Sequence, residues 1–215
     1  MVVFAPEGSR SLSIHDGFGF TVGEQAVLRR LDSPRRIQDY LDGLAYDTAG
    51  KSCRSPRRVL RERSVQCLDA ALLAAAALRF HGRPPLVLDL EADQDSDHVL
   101  ALFRSNGAWG AVARSNYSGL RYRDAVYRTL RELVLSYFES YCNLRREKTL
   151  RRYSRPLSLA RFDARRWMTT EDECWFVAEH LVGIRHYRVL SPPMRRSLAR
   201  LDARSFAAAL LGRVS

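Results

Sequence analysis

Apolar residues recur at helical spacing in the first third of this 215-residue chain and at strand spacing near its middle. Residues 1–23 mix Gly, Ser and aromatics in a short-strand or loop pattern. A first helix is predicted from Thr21 to Leu31, ending at "DSPRR". A second starts behind Ser33, a side chain able to cap helix N–H groups, with Pro34 at its first position, and runs to about Leu44. "TAGKSCRSP" reads as a loop, and Ser55-Pro56 opens a short helix through Arg61. The run "CLDAALLAAAALRF", Cys67 to Phe80, reads as a helix rich in alanine and leucine and is stopped by "HGRPP".

The period then changes. "LVLDL" (86–90) reads as a buried strand, and "HVLALFR" (98–104) and "AWGAVAR" (108–114) flank Asn106-Gly107, the dipeptide that favours a tight hairpin turn. From about Asp124 to Cys142, Val126, Leu130, Leu133, Val134, Tyr137, Phe138 and Tyr141 form an apolar stripe that predicts one long amphipathic helix. Helices are expected again at about 170–183 and 201–211. Helices, three strands and more helices make an α+β chain. The division expected is a core over 1–144 and a basic helical extension over 145–215 packed on it.

Charge supports that division. Residues 145–215 hold 16 of the 35 basic residues and 7 of the 24 acidic ones, a net of +9 in a chain whose total is +11. Only Lys51 and Lys148 are lysines. The arginine-rich block 145–215 is the candidate surface for an anionic partner, either through phosphates and stacked bases or as a solvated helical face that pairs with the chain's own acidic loop or with a partner protein. No apolar run is long enough to span a bilayer, and the start of the chain lacks the pattern of a secretory signal, so a cytoplasmic protein without a membrane partner is expected. Cys53, Cys67, Cys142 and Cys174 show neither a CxxC pair nor zinc spacing. No metal and no cofactor are therefore expected, and each thiol is judged singly. His180 and His186 lie six residues apart, a spacing that does not place both on one helical face.

Cys67 differs from the other three because it heads a helix. There, unpaired N–H groups and the helix dipole favour a thiolate and can hold an oxyanion. Gln66 is the candidate oxyanion donor if its amide turns inward, and Asp69 in the first turn is a structural cap. The hairpin supplies the partners of a nucleophilic cysteine. With a three-residue loop His98 faces Asn116; with a two-residue loop it faces Ser115. An imidazole takes the thiol proton, and a polar neighbour orients the imidazole. The acids of "LEADQDSDH" (Glu91, Asp93, Asp95 and Asp97) adjoin His98 and are expected to raise its pKa. They do not match a calcium loop, because His98 and Arg104 stand where that loop needs Gly and Glu.

"QCLDAALLAAAALRFHGRPPLVLDL" followed by "DHVLALFRSNGAWGAVARSN" resembles the core of the transglutaminase-like superfamily over about residues 55–120. In that family a cysteine heads a helix of small residues, a later strand opens with histidine, and a Gly-Trp hairpin leads to the third triad member. The resemblance implies a papain/transglutaminase-like core with its helix packed on a small antiparallel sheet. It implies Cys67 as nucleophile, His98 as general base and then acid, and Asn116 as orienter where the family usually has aspartate. The reaction implied is acyl transfer from a peptide, protein or small amide or ester, ending in hydrolysis or in transfer to an amine. Leu68 replaces the family's usual aromatic, so substrate preference does not carry over. Two other classes remain: a non-catalytic binding or scaffold protein of the same fold using the basic surface, and a nucleic-acid binder.

Overall fold

The computed structural model describes residues 17–214; the expected strand-or-loop segment before Gly17 lies outside them. Helices α1 (Val22–Arg30) and α2 (Pro34–Asp42) begin where local chemistry dictates. Thr21 and Glu24 form a reciprocal capping box, and Ser33 caps α2 with Pro34 at its first position. A two-residue strand β1 (Ala45–Tyr46) follows, then α3 (Pro56–Glu62), capped by Ser55. Strand β2 (Ser64–Val65) pairs in parallel with β1, which sets Tyr46 beside Val65. Next comes α4 (Cys67–Phe80), whose alanines and leucines leave polar side chains only in its end turns.

Every residue of α4 from Leu68 to Leu78 is buried. A helix with no polar face can only be stable inside, and each fully buried leucine contributes roughly 2 kcal/mol. Its surroundings are α1 to α3 on one side and a sheet on the other. That sheet begins with β3 (Leu86–Ala92), β4 (His98–Ser105) and β5 (Ala108–Val112). Ser105 pairs with Ala108, so the hairpin has the two-residue loop, with Asn106 and Gly107 both at positive φ. Gly110 lies against the Phe103 ring and the Arg123 carbonyl, 2.4 and 2.8 Å from where a Cβ would stand, and no larger residue fits there.

Beyond the hairpin the structure departs from the sequence expectation. The long helix predicted over 124–142 is a strand, β6 (Arg123–Tyr127), followed by a shorter helix, α5 (Leu130–Phe138). β6 pairs with β5, and Val126 of the supposed apolar stripe is exposed. Thr129 starts the helix by accepting the Glu132 N–H. The 145–215 segment is not purely helical either. It supplies β7 (Leu150–Ser154), β8 (Leu157–Ser158) and β9 (His186–Arg188) as well as α6 (Trp175–Gly183), α7 (Pro192–Arg196) and α8 (Ala203–Ala209).

The seven strands run β6-β5-β4-β3-β7-β9, with β8 also on β3, and every pairing is antiparallel. Alternation divides the sheet's side chains between two cores. Val87, Val99, Ala101, Phe103 and Val112 pack with α4, whereas Leu88, Leu90, Leu100, Leu102 and Ala111 pack with Leu133, Val134 and Tyr137 of α5. The architecture is α+β, helices on both faces of an antiparallel sheet. Among the described residues no helix is long and apolar enough to cross a membrane.

Candidate functional site

The site lies where β4 loses a neighbour. β5 stays paired as far as Val112 opposite Ala101, and the chain then leaves the sheet over residues 113–122. The beginning of β4, at His98 and Val99, therefore borders a notch. The first turn of α4 points into it, and the β1/β2 pair holds Tyr46 alongside. The result is a cavity of about 600 Å³ whose lining includes Gln66, Cys67, His98, Ser115 and Asn116, with Tyr46, Tyr141, Asp95 and Asp97. Residues far apart in sequence thus share one space, and Arg213 and Val214 stand at its rim.

Proximity has not produced a hydrogen-bonded triad. The Cys67 sulfur is faced by the backbone N–H groups of Val99 and Leu68, and among the described residues no hydrogen bond joins it to His98. Strand alternation explains the separation. Val99 shares the α4 face of the sheet, whereas His98 lies on the Leu100 and Leu102 side. Burial pushes the Cys67 thiol up to about 11, assisted by the carboxylates of Asp69 and Asp89 and opposed by the two N–H groups. Burial also holds His98 down to about 4. A proton transfer across about seven pKa units costs on the order of 10 kcal/mol, so the resting pair is a neutral thiol and a neutral imidazole. The expected thiolate-favouring dipole is outweighed by desolvation.

His98 is oriented, but by a group that sequence cannot display. Its Nε2 lies 2.9 Å from the carbonyl of Leu120. A carbonyl only accepts, so Nε2 carries the hydrogen and Nδ1 holds the lone pair. Among the described residues Nδ1 has no hydrogen-bond partner.

Asn116, the expected orienter, holds Val214 instead: its Nδ2 donates to the Val214 carbonyl and its Oδ1 accepts the Val214 N–H, both at 2.8 Å. The two-residue hairpin loop shifts the register away from Asn116, and the strand ends before reaching either candidate. Ser115, the alternative, accepts the Tyr117 N–H in the turn. The Gln66 amide donates to the Ser52 carbonyl of the loop folded over the helix start, so this donor is engaged there.

Asp69 is wholly buried and accepts the N–H groups of Arg54 and Gln66 and the Arg54 guanidinium at 3.1 Å. It caps the helix, as expected. The acidic loop does not raise His98. Glu91 pairs with Arg152, Asp93 with Arg195, and Asp95 accepts the Thr149 hydroxyl. The loop thus meets the basic block of the same chain. Cys53, Cys142 and Cys174 are buried free thiols. Among the described residues no three His, Cys, Asp or Glu side chains are grouped to hold a metal ion.

Three groups of the site carried no sequence motif. Tyr46 and Tyr141 line the cavity with Cys67, burial raises the pKa of both phenols, and the Tyr141 hydroxyl donates to the Ser96 carbonyl at 2.7 Å. Asp89 lies across β3 and β4 from Val99 and bears on the Cys67 thiol. Its position in the middle of "LVLDL", a charge in an apolar strand, was the one available signal. A scan against protein-family models finds no match to this chain, and a search of the curated proteins finds none either.

Proposed function

We propose that this chain is a cysteine-dependent acyl-transfer enzyme built on a papain/transglutaminase-like core, with Cys67 as nucleophile and His98 as its base. The observation that carries the reading is the shared cavity: a half-buried thiol on the first turn of a buried helix, and an imidazole whose tautomer leaves Nδ1 able to accept a proton. In this scheme the Cys67 sulfur attacks an acyl carbonyl while its proton passes to His98 Nδ1. Imidazolium then protonates the leaving amine or alcohol, and water or an amine releases the thioester. The Leu120 carbonyl keeps the ring in its tautomer and accepts the Nε2 hydrogen throughout. N–H groups at the start of α4 supply the oxyanion donors that Gln66 does not.

Because the resting pair is neutral, proton transfer accompanies attack rather than preceding it. A second reading, a binding protein of the same fold without chemistry, draws on the absence of a Cys67–His98 hydrogen bond among the described residues. Acyl probes separate the two, and iodoacetamide labelling across pH reports the state of the thiol. We expect Cys67 labelling to rise steadily with pH toward about 11 with no shoulder below pH 7. Acyl phosphonate or activated-ester probes should nevertheless acylate Cys67 in wild type and fail in His98→Ala. Equal acylation in both proteins would sink the enzyme reading.

A further inference from the structure

The paired hydrogen bonds between Asn116 and Val214 are those one strand offers another. The side-chain amide gives one donor and one acceptor to the C=O and N–H of a single residue, so it reads backbone and ignores the side chain. Ser118 continues the contact: its N–H donates to the Ala209 carbonyl and its hydroxyl to that of Ala208. Arg213, between them, places its guanidinium 5.8 Å from the centre of the Tyr117 ring, and both line the cavity. A stretch of this chain therefore lines the cavity that contains Cys67 and His98, held by backbone recognition and by one cation.

We propose that Asn116 is a backbone clamp for an extended polypeptide, that the Tyr117 ring selects a basic residue beside the clamped one, and that residues 213–214 occupy this subsite in cis. The ligand accepted in trans is a peptide stretch with an arginine or lysine at the position of Arg213. This rests on the acyl-transfer reading only for the fate of the bound stretch; the clamp itself needs no chemistry. It also gives a role to Asn116, whose amide is engaged by Val214 while the Leu120 carbonyl orients the imidazole. Displacing residues 213–214 opens the cavity to solvent and to substrate together, which couples ligand entry to access to the thiol.

The test uses the full chain and reads Cys67 labelling by iodoacetamide, with mass-spectrometric site assignment. Val214→Pro removes the N–H that Asn116 Oδ1 accepts, and Asn116→Asp removes the donor to the Val214 carbonyl. Loss of one to two such bonds releases the segment by about tenfold in population, so both variants should label about ten times faster than wild type. A capped Leu-Gly-Arg-Val peptide should slow labelling of Val214→Pro back toward the wild-type rate, and a Leu-Gly-Glu-Val peptide should do so several-fold less well. Wild-type rates in both variants, with circular dichroism confirming the fold, would overturn the proposal, as would failure of the arginine peptide to protect. Fast labelling of Val214→Pro together with no His98-dependent acylation would leave the clamp standing and remove the enzyme.

Discussion

Two histidines of this protein sit in opposite circumstances. His186, on β9, holds the Asp89 carboxylate at 3.1 Å through Nε2 and the Ile184 carbonyl at 2.8 Å through Nδ1. Asp89 reaches it across the sheet because the intervening β7 residue is the small Ser154, whose hydroxyl accepts the Asp89 N–H. His98 has only a carbonyl partner, yet it lines the cavity beside the thiol. The histidine with a carboxylate is a buried structural pair, and the histidine without one has a ring nitrogen free for a reaction. Under the proposed reading a carboxylate partner does not mark the reactive imidazole; a place on the cavity wall beside the thiol does.

The largest expected effect falls on the structural pair. Asp89→Ala leaves His186 buried without its acceptor and removes a hydrogen-bonded group between two strands, which should cost about 3 kcal/mol in urea unfolding. It should also raise the thiol reactivity of Cys67, since a carboxylate that opposes the thiolate is gone. A loss below about 1 kcal/mol would mean that the pair is a surface-like contact and that the comparison fails.

A smaller effect is expected from pH at His98. Its folded pKa of about 4 lies below the ordinary 6.5, so the unfolded chain binds the proton first. Stability is complete above pH 6.5 and falls as pH drops toward 4, by about 2 kcal/mol at pH 5. His98→Gln should flatten that part of the profile, as urea titrations of both proteins at pH 7 and pH 5 would show. If the variant keeps the full acid loss, His98 is not the group held neutral.

The smallest effect concerns the cation near the same ring. Arg123 disfavours the imidazolium of His98. Arg123→Gln should raise the His98 pKa by a small amount, followed through its ring proton shifts by NMR. An unchanged or lower His98 pKa would show that the Arg123 charge does not act on the ring.

Much of the helical layer was legible because its signals are local. Caps at Thr21, Ser33 and Ser55 act within one turn of chain, and the run of alanines and leucines after Gln66 reads as a helix. The turn at Asn106-Gly107 was equally readable. The strand β6 was not. The stripe through Val126 and Leu130 fits a helix, and only the open edge of β5 made its first five residues a strand. β7 and β9 failed for the same reason: Leu90 meets Tyr153 across more than sixty residues, and an arginine-rich segment shows little strand periodicity.

At the site, the sequence determined which chemistry-bearing residues exist and two of their addresses: a thiol on the first turn of a buried helix and a histidine at the start of a strand. Those follow from local propensity and from the hairpin. Tertiary structure alone decided that His98 is held by a backbone carbonyl, that Asn116 clamps Val214, and that the thiol and imidazole rest uncharged. Carbonyl groups are the same at every position, and a pKa depends on how much water the folded chain excludes. Neither is written in residue identity.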